Sequence, residues 1–179
     1  MAELTQWAFT SRFEGVIPHL YKDSKGYMTC GVGFLVPTET DCLRLPWSPN
    51  VEAALADYRQ VQSQPKGYVA GHYRAFCKAY LKPDIMRQLF DVKVDGFRRQ
   101  LRRAGWRLER YPEPVVIALV DIVFNTGITG INAFVNLRAA VDAGDWARAA
   151  NECHRKPPVS AERNDATRAL FVKAANTRA

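Results

Sequence analysis

Apolar residues recur with the period of an α-helix along most of this chain and with the texture of short strands in one early segment. Leu4, Trp7, Phe9 and Phe13 form a helical stripe that stops at Gly15, a natural helix terminator. From Tyr21 to Leu35 the pattern changes. Tyr21, Tyr27, Thr29, Val32 and Phe34 lie among Gly26, Gly31 and Gly33, and Asp23-Ser24-Lys25-Gly26 has turn chemistry, which predicts an antiparallel hairpin or three-strand meander. Pro37, Pro46 and Pro49 mark residues 36–50 as loop. Helical patterning then predicts helices over 51–63, 69–80, 83–104 with a break near Asp91, 114–125, 132–143, 145–154 and 160–175. Pro114 suits the first position of its helix, and Val115 to Val120 is apolar on every side, the mark of a central buried helix. There is no internal repeat. The fold class expected is α+β and mostly helical: one domain over 1–179, with a small β-containing N-terminal lobe (1–80, including an enlarged 36–80 segment) and a larger helical lobe (81–179).

Composition narrows the picture. With 47% hydrophobic residues in 179, the chain can build a real core, which excludes disorder. The longest apolar stretch, Val115 to Phe124, is interrupted by Asp121 and is too short to span a bilayer, so no transmembrane segment is expected. Glu3 comes early and no long apolar core follows it. The expectation is a protein made in the cytoplasm without a signal peptide, which needs release or delivery if its target lies outside the cytoplasm. The four cysteines are scattered, and His19, His72 and His154 stand alone, so neither a metal nor another cofactor is expected and the thiols are read as free and buried.

Twenty-five Lys and Arg against eighteen Asp and Glu leave a net charge of +7, which favours anionic partners. Arg98, Arg99, Arg102 and Arg103, followed by Arg107 and Arg110, form the densest cluster; either a solvated helix face or a surface drawn to anionic polymers accounts for them. No helix-turn-helix or aromatic-studded basic strand accompanies them, so nucleic acid is not the expected partner.

The chemistry concentrates in Phe13-Glu14-Gly15 and Leu20 to Gly33. Glycoside hydrolysis needs one carboxylic acid to protonate the leaving oxygen and a second carboxylate to activate water or attack the anomeric carbon. Glu14, at a helix end, and Asp23, at a hairpin turn, fit such a pair because a chain reversal can bring them to one cleft. Thr29 follows the turn and can offer a hydroxyl to hold a water. Among eighteen acidic residues two carboxylates at such a spacing arise by chance in most proteins, and taken alone they read as solvated surface charge. The flanking residues add what the spacing lacks. Glu14-Gly15, Tyr21-Lys22-Asp23, Gly26, Thr29, Gly31 and Gly33 match a motif of Glu-Gly, Tyr-x-Asp-x-x-Gly and Thr-x-Gly-x-Gly. In this the chain strongly resembles the T-even-phage-type lysozymes, glycoside hydrolase family 24. Leu89 to Asp95 is similar to that family's interlobe segment. Val123-Phe124-Asn125-Thr126-Gly127, Gly130, Phe134, Ala143-Gly144-Asp145-Trp146 and Ala149-Ala150 are similar to its helical core.

The resemblance covers residues 3–35 and 81–175. It implies a lysozyme-like fold and a monomeric peptidoglycan hydrolase cleaving the β-1,4 bond between N-acetylmuramic acid and N-acetylglucosamine with inversion. It implies Glu14 as general acid, Asp23 with Thr29 positioning the attacking water, and Leu35, Phe124 and Arg163 as substrate-binding positions, although core packing serves Leu35 and Phe124 equally well and Arg163 can be a solvated cation. A phage endolysin and an antibacterial effector toxin, the latter with an immunity protein as partner, share such a site; a wall-binding domain without catalysis and a lytic transglycosylase are the alternatives. Two departures stand out. Phe34 replaces the family's usual His, which removes an ion pair. Residues 36–80 are longer than the family's equivalent, and Trp47, Tyr58, Tyr68, His72 and Tyr73 there serve either as packing or as an extended sugar platform.

Overall fold

The structure, a computed structural model, describes residues 4–177; Glu3 falls outside them. It is mostly helical with one small antiparallel sheet, the α+β class expected. The helices are α1 (Gln6–Glu14), α2 (Glu39–Leu43), α3 (Val51–Ser63), α4 (Pro83–Arg103), α5 (Glu113–Asn132), α6 (Val135–Asp142), α7 (Trp146–Glu152) and α8 (Ala161–Asn176). The strands β1 (Ile17–Lys22), β2 (Met28–Gly31) and β3 (Phe34–Leu35) pair in the order β1-β2-β3, with Tyr21 opposite Thr29 and Thr29 opposite Leu35. The chain divides into two compact units. One is Glu14–Lys93; the other joins the described residues before Glu14 to those after Lys93.

In the Glu14–Lys93 unit the sheet packs with the 36–80 segment around Leu20, Met28, Cys30, Trp47, Tyr58, Val61, Tyr73 and Met86. Here the local patterning was least informative. The segment 36–50 holds a one-turn helix, α2, because Thr38 caps it and accepts the Asp41 amide at 3.1 Å. The α-helix expected over 69–80 is a 3-10 turn over Ala70–Phe76 instead. Beyond it the chain is drawn out by tertiary partners: the buried Asp57 carboxylate accepts the Lys78 and Ala79 amides, both at 2.7 Å, and Tyr80 bridges to Ser48. Helix α4 runs unbroken past Asp91, which is exposed and braces the helix by pairing with Arg87 at 3.1 Å.

In the other unit α5 is the core helix, and α8 packs on α5 and α7. By length and composition alone α5 could cross a membrane, but Val115 to Val123 are all buried inside the unit. Its interruption lies at Gly127, whose φ of 68° an L side chain rarely adopts. All four cysteines are free and buried; burial pushes the Cys42 and Cys153 thiols up to about 11, leaving few thiolates to react.

His19 on β1 supplies a pH dependence. Its Nε2 donates to the Ala70 carbonyl at 3.0 Å, and its buried Nδ1 has no partner among the described residues. Burial holds the imidazole below its ordinary value; the Ala70 bond acts in the opposite sense and Arg74 adds to the lowering. The unfolded chain therefore takes a proton near pH 6.5 that the folded chain does not. Stability is full above that pH and falls below it, by up to ~1.4 kcal/mol per pH unit, until folded His19 also protonates. Urea unfolding at pH 7 and pH 5 is expected to show a smaller acid loss for His19→Gln than for the wild type. Equal losses would remove His19 as the source.

Candidate active site

The β1–β2 turn is built around the Asp23 side chain. Its Oδ1 accepts the Lys25 amide at 2.9 Å and the Tyr27 amide at 2.8 Å, while the Gly26 amide donates to the Asp23 carbonyl at 2.9 Å. These bonds fix the carboxylate to the backbone that bears it and leave Oδ2 without a hydrogen bond among the described residues. Thr29, only 2% exposed on β2, donates its hydroxyl to the Tyr27 carbonyl at 3.0 Å. The same carbonyl accepts the Asp23 amide at 2.9 Å. The Tyr27 peptide group thus ties Asp23 and Thr29 into one rigid arrangement.

Glu14 is the last residue of α1 and is half-buried. Tyr21 on β1 links it electrostatically to the turn. Burial pushes the Tyr21 phenol above its ordinary range, and Glu14, Cys30 and Asp23 push it further. One phenol therefore senses both carboxylates. Lys93, near the middle of α4, donates its ammonium to the Gly33 carbonyl. Burial lowers its pKa, and the Glu14 carboxylate is the larger of the two influences that oppose this, Cys30 being the other. A lysine thus shares the neighbourhood of Glu14, and nothing in the motif around Glu14 signals it. Phe34 packs against the core of this unit.

The chain matches the family model described as phage lysozyme over residues 11–157. It belongs to the phage lysozyme family. Membership makes it a peptidoglycan hydrolase of the lysozyme type, a glycoside hydrolase. The match includes Glu14, Asp23 and Thr29 and runs through the 36–80 segment.

The remaining residues singled out in the sequence sit in contrasting surroundings. Leu35, on the short strand β3, is 52% exposed. Phe124, on α5, is half-buried and meets Phe97 edge-on at 5.4 Å. Arg163, on α8, is buried: its guanidinium lies 2.7 Å from Asp121 and 5.4 Å above the Phe13 ring. Asp121 also receives Arg155 at 2.8 Å, and Thr167 stands 3.3 Å away. In the sequence Asp121 shows only as a break in an apolar run. A charge inside an all-apolar helix was the available signal, because such a group is retained only with partners. A groove of about 690 Å³ bordered by Phe134, His154 and Arg155 contains none of Glu14, Asp23 or Thr29. In the arginine cluster, Arg98 pairs with Glu113 at 3.3 Å and Arg102 with Glu109 at 2.5 Å, so part of that positive charge is neutralised locally.

Proposed function

We propose that the enzyme cleaves the β-1,4 bond between N-acetylmuramic acid and N-acetylglucosamine by single displacement. Glu14 protonates the leaving oxygen, and Asp23 with Thr29 holds the attacking water. The observation that carries this reading is the fixed Asp23–Tyr27–Thr29 arrangement, in the same compact unit as Glu14. Asp23 Oδ1 is occupied by two amides, so Oδ2 is the oxygen that takes the water's proton. Inversion needs carboxyls about 6.5–9.5 Å apart to admit that water. Leu35 offers an exposed apolar surface next to β2, suited to the face of a sugar ring. The biological setting that fits a wall-cleaving enzyme is bacterial lysis, by a phage endolysin or an antibacterial effector.

Asp23→Asn and Thr29→Ala are each expected to lower turnover by ~10²-fold or more for Asp23 and less for Thr29, with little change in the thermal melt. Digested wall should carry reducing muramic acid ends, first formed as the α anomer. First-formed β anomers would replace inversion by retention, and 1,6-anhydro ends would identify a transglycosylase.

A further inference from the structure

We propose that the Tyr68–His72 ring stack is a pyranose-binding platform that extends the glycan site from the Asp23 turn onto residues 64–76. The inference rests on the reading that Asp23 belongs to the glycan-cleaving site.

Burial separates the aromatics of the 36–80 segment. Trp47, Tyr58 and Tyr73 are core residues whose polar atoms donate to the carbonyls of Cys42, Pro37 and Pro65 at 2.9, 2.8 and 2.8 Å. Tyr68 is 52% exposed. Its ring lies against His72 with centroids 4.1 Å apart and planes at 15°, so one face is backed by the imidazole and the other is turned away from it. His72 in turn meets the buried Tyr73 edge-on at 5.3 Å. The exposed ring is therefore held through His72 to the core, and a ligand that stacks on it immobilises little that is not already ordered. The apolar C–H face of a pyranose matches such a surface, with its hydroxyls left to water at the rim.

Position connects the platform to the chemistry. The Lys66 stem lies so close to Gly26 that a Cβ there would meet Lys66 Cδ at 3.2 Å, and the φ of +93° at Gly26 also favours glycine. Gly26 is the residue that closes the Asp23 turn. Lys22 donates to the carbonyls of Gln62 and Gln64, and His19 to that of Ala70. The chain on both sides of Tyr68 is thus fastened to the hairpin bearing Asp23. From Lys66 to Tyr68 the backbone spans at most ~7 Å, which keeps Tyr68 within reach of a glycan strand that extends past the turn.

The test is a comparison of kcat/KM on long soluble glycan strands and on short ones, for wild type, Tyr68→Ala and Tyr68→Phe. Tyr68→Ala is expected to lower the long-to-short ratio about tenfold, chiefly through KM, the scale of one aromatic stacking contact; Tyr68→Phe keeps the flat face and should restore the ratio. An unchanged ratio in Tyr68→Ala overturns the platform, as does an equal loss on both substrates, which marks a structural role. If Tyr68→Ala melts early, Tyr68→Leu, which keeps apolar bulk without a flat ring, replaces it under the same criteria. An active Glu14→Gln enzyme would overturn the catalytic reading, whereas an inactive one beside a Tyr68→Ala of wild-type ratio would overturn the platform alone.

Discussion

Glu14→Gln is expected to lower wall-clearing activity by at least ~10²-fold while the protein folds and melts as the wild type does. The amide keeps the shape of the side chain and its hydrogen-bonding reach but has no acidic proton to give, and a positioned general acid is worth roughly 10²–10⁴ in rate. Glu14 ends α1 and is half-buried, and the amide occupies the same volume there. Turbidity clearance of bacterial walls, measured beside a thermal melt, separates the two effects. Clearance within a fewfold of wild type would remove Glu14 from the catalytic role.

The second large effect is on stability. Asp121 is fully buried on α5 and accepts from Arg155 at 2.8 Å and Arg163 at 2.7 Å, two guanidiniums that are themselves buried. Asn164 and Thr167 on α8 complete the arrangement: the Asn164 side-chain oxygen accepts from Arg155 Nε at 3.2 Å, and Thr167 Oγ1 stands 3.3 Å from Asp121. Asp121→Ala would leave both positive charges in a low-dielectric interior without their shared counter-charge. Removing one partner of such a buried arrangement typically costs ~3–5 kcal/mol, because the desolvation already incurred is no longer offset. Urea unfolding should show a loss in that range, with a fall in melting temperature on the order of 10 °C. A loss under ~1 kcal/mol would mean that water or a rearranged side chain replaces the carboxylate.

Both predictions start from carboxylates visible in the sequence, and the difference in how legible they were is physical. Local patterning determined the helical character of the chain, the β-hairpin, α3 over 51–63 and the central buried helix, because periodicity and turn residues act over a few positions. The turn chemistry of Asp23-Ser24-Lys25-Gly26 was equally local: its hydrogen bonds join residues within four positions of one another. The family motif, likewise compact, was readable for the same reason.

Tertiary structure decided what depends on residues far apart in sequence. Whether 69–80 would be a helix depended on Asp57 and Ser48, which draw the chain out after Phe76. Asp121 acquired its meaning from Arg155 and Arg163, more than thirty positions away. Composition could not tell Tyr58 and Tyr73, which are core, from Tyr68, which is exposed, because burial is a property of the assembled surface and not of the residue type. Sequence alone determined most of the elements and the residues able to do acid–base chemistry; only the fold brought Tyr21 within reach of both carboxylates and Lys93 within reach of Glu14, since electrostatic interaction depends on distance through space.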